Sequence, residues 1–233
     1  MLADNLRNVR ETIASALAKR GSKKETGDEV CLVAVTKNHP AEVVTEIAAL
    51  GVENIGENRV QEAREKLEQL GHPGKWHLIG HLQTNKVKQA VESFDLIESA
   101  DSEHLLRALE KEAAKQSKVM DVLLQINIAR EPQKTGFLTE DYEAILPVLD
   151  DLPHIRVRGI MVIAPNTPDQ EVLHAVFRQG YEYFCKLKRQ RNDIDYLSMG
   201  MTSDYAIAVE EGANMVRVGT ALFGARDYGN RGY

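Results

Sequence analysis

The sequence predicts an α/β fold: a single (β/α)8 barrel of the TIM type with an additional N-terminal helix. Short apolar runs alternate with amphipathic helical patterns along the whole chain. This alternation indicates a parallel sheet, because each parallel strand needs a crossover before the next strand begins. About eight apolar runs are present, and eight strands close a barrel of this kind.

The chain length also suits one barrel, since 233 residues are enough for a single domain of this type. We predict one domain over residues 1–233, because no linker or internal repeat divides the chain. An open doubly wound sheet is the alternative, since it has the same alternation of strands and helices. The GxGxxG fingerprint that such a fold carries after its first strand is absent, so the barrel is favoured.

The first predicted element is a surface helix. Its apolar residues recur at helical spacing: Leu2, Leu6, Val9, Ile13 and Leu17. The segment lacks the apolar core of a signal peptide, and Asp4 and Glu11 count against an organelle transit peptide. No apolar stretch approaches the roughly 18 residues of a membrane span. We therefore expect a cytoplasmic protein that does not contact membranes.

Eight strands follow this helix. They are predicted at Cys31–Lys37, Glu53–Asn58, Trp76–Leu82, Asp95–Asp101, Val122–Ile128, Gly159–Ala164, Tyr196–Thr202 and Met215–Gly219. The segments between them show helix spacing, and Gly51, Gly71 and Gly212 each follow a periodic run, as a left-handed helix cap requires. The polar stretch from Asn127 to Gly136 is predicted to be a loop on the active face.

Charge and cysteine content argue against several classes of protein. The chain has 29 Lys and Arg against 35 Asp and Glu, whereas nucleic-acid binding usually needs a basic face. Cys31 and Cys185 lie far apart without metal-ligand spacing, so we expect neither a disulfide framework nor a metal site. HExxH, paired CxxC and GxSxG motifs are also absent.

Lys37 is the first candidate for chemistry, in the segment LVAVTKNHP. It is placed at the carboxyl end of a strand, where barrels carry their catalytic residues, and Pro40 suits the first turn of the next helix. Cys31, Val33 and Val35 share its side of the strand. If that side faces the barrel interior, partial desolvation favours the neutral, nucleophilic amine. A lysine that extends its charge into solvent is the alternative.

Two segments near the C-terminal end suit an anionic group. In MVRVGTALFGARDYG, Arg217 lies within an apolar strand and needs an acceptor, while Gly219 and Thr220 offer backbone N–H groups and a hydroxyl to phosphate. An alternative explains this segment equally well. In it, Arg217 pairs with a core carboxylate, and the glycine is required only for a turn.

The second segment, YLSMGMTSDYAIAVEEG, closes the seventh predicted strand with Gly200, Thr202 and Ser203. Thr202 or Ser203 can act simply as a helix N-cap, or as part of a phosphate site at a helix N-terminus. The two segments follow the seventh and eighth strands, whose loops form the usual phosphate site of a barrel. Their coincidence favours a phosphate site.

Other polar positions lie at the second and third strands. Asn58, in NIGENRVQEA, ends the second predicted strand and can place an amide over the barrel mouth. His77 and His81 lie in or beside the third strand. A lone histidine in a strand is more often a packed or hydrogen-bonded residue than an acid or base.

Taken together, these segments resemble the YggS/PROSC family of pyridoxal phosphate homeostasis proteins. The resemblance extends over nearly the whole chain, through LVAVTK, GENRVQEA, WHLIGHLQTNK, LLQINIAREPQKTGF, RGIMVIAP, LSMGMTSD and VRVGTALFGARDY. It implies the barrel fold of bacterial alanine racemases, with pyridoxal 5'-phosphate (PLP) as the cofactor.

The resemblance also implies a role for each candidate residue. Lys37 would form a Schiff base with PLP, Arg217 would face the pyridine nitrogen, and Asn58 would contact the cofactor near its ring. The phosphate would be held by Thr202, Gly219 and Thr220. The family often has serine at the position of Thr202, which keeps the hydroxyl.

The function expected from the resemblance is storage, buffering or delivery of PLP in the cytosol, without strong catalysis. Arginine at the ring nitrogen donates a hydrogen bond but cannot readily supply the proton that stabilises a carbanion. Delivery implies transient contact with apo-enzymes that use PLP. The absence of the second domain of alanine racemases favours a monomer.

Two other functions are left open. An amino-acid racemase needs a second acid or base on the opposite face of the substrate carbon. Tyr205 and Tyr228 are candidates, although no motif places either over the ring. A Schiff-base aldolase or phosphosugar enzyme, in which Lys37 attacks the substrate directly, fits the fold alone.

Overall fold

Eight parallel strands close into a barrel in the computed structural model, which describes residues 1–23 and 25–224. The strands are β1 (Cys31–Val35), β2 (Asn54–Glu57), β3 (Lys75–Leu78), β4 (Leu96–Ala100), β5 (Met120–Ile126), β6 (Ile155–Val162), β7 (Tyr196–Met199) and β8 (Met215–Val218). They follow chain order around the barrel, and β8 pairs with β1 to close it. The (β/α)8 prediction is confirmed, and the open-sheet alternative is wrong.

Helices precede and connect these strands. Those within the described residues are α1 (Leu2–Lys19), α2 (Ala41–Ala49), α3 (Val60–Leu70), α4 (Val87–Ser93), α5 (Glu103–Lys115), α6 (Tyr142–Val148), α7 (Gln170–Gln190), α8 (Tyr205–Glu210) and α9 (Thr220–Phe223). Helix α1 packs against α8 and α9, which confirms the additional N-terminal helix. In the part of the chain that the structure describes, no helix combines the length and apolarity needed to cross a bilayer.

Each strand ends one to four residues earlier than predicted. β1 ends at Val35 and not at Lys37, and β7 ends at Met199 and not at Thr202. After β7, Gly200 takes a φ of +96°, which residues with a side chain rarely adopt and which ends the extended backbone. Lys37 and Thr202 therefore lie in the loops that follow their strands.

The predicted helix ends and the predicted loop are present. Gly51, Gly71 and Gly212 follow α2, α3 and α8 with φ of +80°, +72° and +109°. The segment 127–136 forms a loop that follows the carboxyl end of β5.

Two apolar cores lie on either side of the barrel wall. The inner core fills the barrel and contains Val33, Leu96, Leu123, Met161 and Met215. The outer core lies between the strands and the helices and takes the alternate strand residues, such as Ala34, Ile97 and Val216. Because successive strand residues point to opposite faces, the side of β1 that carries Val33 and Val35 faces the interior, which meets the condition set for Lys37.

Candidate functional site

A cavity of about 480 Å³ opens at the carboxyl ends of the strands. This volume is typical of small-molecule sites. Its lining residues come from strand ends and the loops after them: Val35, Lys37, His39, Asn58, Ile79, Ile163, Met201, Thr202, Ser203, Arg217, Gly219 and Thr220. The structure therefore brings all six residues predicted to contact PLP to one cavity.

Lys37 lies in the turn after β1, and hydrogen bonds hold the backbone on both sides of it. The Nζ of Lys66 donates to the carbonyl oxygen of Thr36 at 2.7 Å. The backbone N–H of Asn38 donates to the carboxylate of Glu62 at 2.5 Å, and Asn38 takes a φ of +61°, which asparagine tolerates better than most residues. The turn is therefore fixed, and the half-buried Lys37 lines the cavity.

A buried ion pair supports this turn. Glu57 has no exposed surface, and its Oε1 accepts hydrogen bonds from Nζ of Lys66 at 2.5 Å and from Oγ1 of Thr36 at 2.6 Å. Burial raises the pKa of Glu57, against the opposing effect of the Lys66 charge. This pair was not among the residues predicted from the sequence. The available signal was an acidic residue in the short buried strand NIGE, followed by a lysine on an amphipathic helix.

Arg217 lies in β8 with 3% of its surface exposed. Its Nη1 donates to Oγ of Ser198 at 2.5 Å, and its Nη2 donates to the carbonyl oxygen of Val162 at 3.0 Å. The carboxylate of Glu98 lies 3.8 Å from Nη1. Arg217 therefore pairs with a core carboxylate, and it also lines the cavity, where its interaction with an anionic group stays a prediction. Burial lowers the pKa of the guanidinium, but arginine stays protonated in proteins.

The histidines of the third predicted strand are hydrogen-bonded, as predicted. His77 is 3% exposed, with Nδ1 at 2.7 Å from Oε1 of Glu98 and Nε2 at 3.1 Å from Oδ1 of Asn54. His81 is exposed and lies 2.7 Å from Asp101. Sequence analysis missed Glu98, whose signal was an ionisable residue in the middle of the buried segment LIESA.

The loops after β7 and β8 meet at Thr202. Its Oγ1 accepts hydrogen bonds from the backbone N–H groups of Gly219 and Ala221 at 3.4 and 3.5 Å. These bonds are long and weak, so the N–H groups can exchange the hydroxyl for a phosphate oxygen at low cost. A Cβ at position 219 would lie 3.2 Å from the carbonyl oxygen of Val35, which favours glycine there. Thr202 is not the N-cap of α8, because Asp204 takes that position.

The other lining residues supply apolar walls, an amide and an imidazole. Val35, Ile79, Ile163 and Met201 are the apolar side chains of the lining, and Asn58 contributes its amide. His39 also lines the cavity, and its ring centroid lies 5.1 Å from that of Phe223. His39 was not singled out from the sequence, although it lies two residues after Lys37 in the segment LVAVTKNHP.

Of the two tyrosines considered as a second acid or base, the structure describes only Tyr205. Tyr205 belongs to the outer core and is absent from the lining residues, and Tyr228 lies outside the described residues. Within residues 1–23 and 25–224, no three His, Cys, Asp or Glu side chains are grouped so as to hold a metal ion.

Two comparisons relate the sequence to known proteins. A family model described as "Alanine racemase, N-terminal domain" matches residues 3–227. The chain is also 38% identical over 229 residues to the pyridoxal phosphate homeostasis protein of Pseudomonas aeruginosa, a match that covers 98% of this chain and 97% of that protein.

Solved structures of PipY from Synechococcus elongatus resemble this fold. The structure without PLP matches with a TM-score of 0.85 at 38% sequence identity, covering 96% of this chain and 100% of PipY. The structure with PLP bound matches with a TM-score of 0.81 at 37% identity, with the same coverage. Sequence and fold therefore point to the same group of proteins over nearly the whole chain.

Proposed function

This chain belongs to the family of pyridoxal phosphate homeostasis proteins, and from that membership we propose that it holds PLP on Lys37 and takes part in intracellular PLP homeostasis. The proposed role is storage, buffering or delivery of the cofactor in the cytosol. A monomer would carry it out, with transient contact to apo-enzymes. The observation that carries the proposal is the single cavity that joins Lys37 to Arg217 and the loops after β7 and β8.

The lining residues fit PLP chemically. The cofactor supplies an aldehyde that condenses with amines and a ring that withdraws electrons. Lys37 offers the amine, and Arg217 offers N–H donors to the ring nitrogen. For the phosphate, the loops offer the hydroxyls of Thr202 and Thr220 and the N–H of Gly219. The amide of Asn58 and the apolar side chains of the cavity can contact the ring.

The proposed link between Lys37 and the cofactor is a Schiff base. The Lys37 nitrogen adds to the aldehyde carbon and water leaves, and hydrolysis reverses both steps. The hydrogen bonds at Thr36 and Asn38 hold the turn in place, so the amine is presented without rearrangement of the backbone. A reversible link of this kind suits a protein that stores and releases the cofactor.

The site disfavours strong catalysis. An arginine facing the ring nitrogen keeps its own proton, so the ring is a weak electron sink. Racemisation also needs an acid or base on each face of the substrate carbon. His39 is a lining residue of a type that exchanges protons near neutral pH, and it is the observation that favours the racemase alternative.

Borohydride trapping tests the proposed site. Hydride adds to the C=N bond of a Schiff base and leaves a stable secondary amine, so the modified peptide identifies the lysine. We expect that peptide to contain Lys37, and we expect Lys37→Ala to lose the trapped cofactor. Lys75→Ala, at the amino end of β3, is the control and should retain it. A folded Lys37→Ala protein that still traps PLP would refute the assignment.

Deuterium exchange at the α-carbon of a panel of amino acids separates the two functions. The homeostasis role predicts no turnover at ordinary enzyme rates. Turnover of the order of 1 per second or more, lost in His39→Asn, would support the racemase instead.

A further inference from the structure

A chain of hydrogen bonds runs through the barrel interior and ends at Arg217. Asn54 contacts His77 at 3.1 Å, and His77 contacts Oε1 of Glu98 at 2.7 Å. Oγ of Ser198 donates to Oε2 of Glu98 at 2.5 Å and accepts from Nη1 of Arg217 at 2.5 Å. Five strands, β2, β3, β4, β7 and β8, each contribute one member. These hydrogen bonds therefore link Arg217, in the floor of the proposed cofactor site, to Asn54 at the first residue of β2.

The strand register places these side chains inside the barrel. Glu98 and Arg217 lie two residues beyond Leu96 and Met215 of the inner core, and so share their face of the sheet. Ser198 pairs with Met161 of the same core. Polar side chains in such a position must satisfy one another, because unsatisfied polar groups in a core are costly.

Glu98 and Arg217 carry opposite charges within this hydrogen-bond network. Burial alone would raise the pKa of Glu98, but the hydrogen bond from His77, the charges of His77 and Arg217, and the bond from Ser198 together hold it below its ordinary value. Glu98 is therefore a carboxylate at neutral pH, 3.8 Å from the guanidinium of Arg217. Each carboxylate oxygen of Glu98 accepts at least one hydrogen bond.

We propose that Glu98 and Ser198 are positioning residues for the cofactor, which orient the guanidinium of Arg217 toward the ring nitrogen and offset its charge. This inference rests on the function proposed above. Fixing an arginine side chain costs rotamer entropy. Ser198 and the carbonyl oxygen of Val162 fix this one before any ligand binds, so the ring meets a preformed donor.

Charge compensation also decides which end of the cofactor faces Arg217. Arginine binds phosphate strongly, so an uncompensated guanidinium in the floor of the cavity would attract the phosphate of PLP. Pairing with Glu98 reduces that attraction. The phosphate is then directed to the loops that carry Thr202 and Thr220, and the neutral ring nitrogen is left for Arg217.

Ser198→Ala and Glu98→Gln test these roles, with Ser99→Ala as a matched control. Ser99 is the neighbour of Glu98 in β4 and is as buried as Ser198. Its Oγ donates to the carbonyl oxygen of Gly80 at 2.7 Å. For each protein we would measure the dissociation constant for PLP and the pH midpoint of the visible absorption band of the lysine-bound cofactor. Urea unfolding of the apo-protein reports on the fold.

Ser198→Ala is expected to bind PLP about tenfold more weakly, since it loses a hydrogen bond to a charged group, while Ser99→Ala binds it like the wild type. Glu98→Gln is expected to shift the absorption midpoint to lower pH, because removing an anion from beneath the site destabilises a protonated Schiff base on Lys37. The fold should survive this change. The new amide oxygen can accept from Ser198, while its nitrogen can donate to Nδ1 of His77 in the tautomer whose Nε2–H donates to Asn54.

Wild-type affinity in Ser198→Ala and a wild-type midpoint in Glu98→Gln, in folded proteins, would overturn the positioning role. So would an equal loss of affinity in Ser99→Ala, because any buried serine would then have the same effect. If Glu98→Gln fails to fold, Ser198→Ala, which removes a single oxygen atom, decides. If the wild-type protein binds no PLP at all, both this inference and the proposed function are contradicted. That result differs from the results above, in which the wild-type protein binds PLP and only the variants decide.

Discussion

Glu57 and Glu98 are two glutamates with no exposed surface, yet their pKa values move in opposite directions. Glu57 belongs to β2, and its side chain lies between the barrel wall and α3, where burial raises its pKa. Glu98 lies inside the barrel, where burial also acts but the hydrogen bond from His77 and its other partners outweigh it, so the pKa falls.

The difference lies in how many carboxylate oxygens find donors. Oε1 of Glu57 accepts from Lys66 and Thr36, whereas Oε2 has no hydrogen-bond partner among the described residues. Both oxygens of Glu98 accept a hydrogen bond. Depth of burial alone therefore does not decide whether a buried acid is ionised, because hydrogen bonds to each oxygen can reverse its effect.

The largest effect is expected from Lys66→Met, which removes the cation that Glu57 faces. An uncompensated buried carboxylate typically costs about 3–5 kcal/mol, and we expect an unfolding free energy lower by about that amount in urea titrations of the apo-protein. Lys115→Met is the control, because it removes an exposed pair with Glu112 that is worth roughly 0.5 kcal/mol or less. Equal losses in the two variants would contradict the role of the buried pair.

The two acids should change the pH dependence of the unfolding free energy in opposite directions. The lowered pKa of Glu98 adds stability above its ordinary value of 4.5, and this is lost as the pH falls through the lower folded value. For Glu57 the folded state holds the proton more tightly, so stability falls as the pH rises from 4.5 through its raised folded value. Lys66 and Glu62 face Glu57, while His77 and Arg217 face Glu98.

Urea midpoints at a series of pH values measure both effects. Glu98→Gln should lose less stability than the wild type on acidification. Glu57→Gln should lose less than the wild type between pH 4.5 and neutrality. Curves parallel to the wild type in both variants would show that neither acid titrates as described.

The smallest effect is expected from Thr36→Ser, which keeps the hydroxyl that donates to Glu57. Loss of one buried methyl group should lower the unfolding free energy by about 0.8 kcal/mol and leave PLP binding unchanged. Thr36→Val keeps the volume but removes the hydroxyl, and should cost more, roughly 1.5–3 kcal/mol. The reverse order in urea unfolding would show that packing, and not the hydrogen bond, matters at this position.

Much of the fold follows from local sequence patterns. Strand and helix periodicity predicted the eight strands and the N-terminal helix, because each pattern reports which face of one element is buried. Lys37 and Arg217 stood out for the same reason, as charged residues at or within apolar runs. The strand ends were predicted too late, since periodicity continues past the point where Gly200 turns the backbone.

The supporting networks could not be predicted in this way. Glu98 and Ser198 lie 100 residues apart, and their contact depends on barrel closure and on the register of each strand. Sequence patterns identify a polar residue in a core but not the partner that satisfies it. The same holds for Glu57 and Lys66, whose pairing depends on how α3 packs against β2.

The proposed cofactor site is completed late in protein synthesis, because it requires the pairing of β1 with β8. Lys37 follows the first strand of the barrel and Arg217 lies in the last one, so the ribosome produces Lys37 well before Arg217. A nascent chain that has not reached Met215 carries Lys37 but lacks its partners from β8. Capture of PLP must then wait for the completed barrel, and the bound cofactor would in turn favour the closed barrel by mass action.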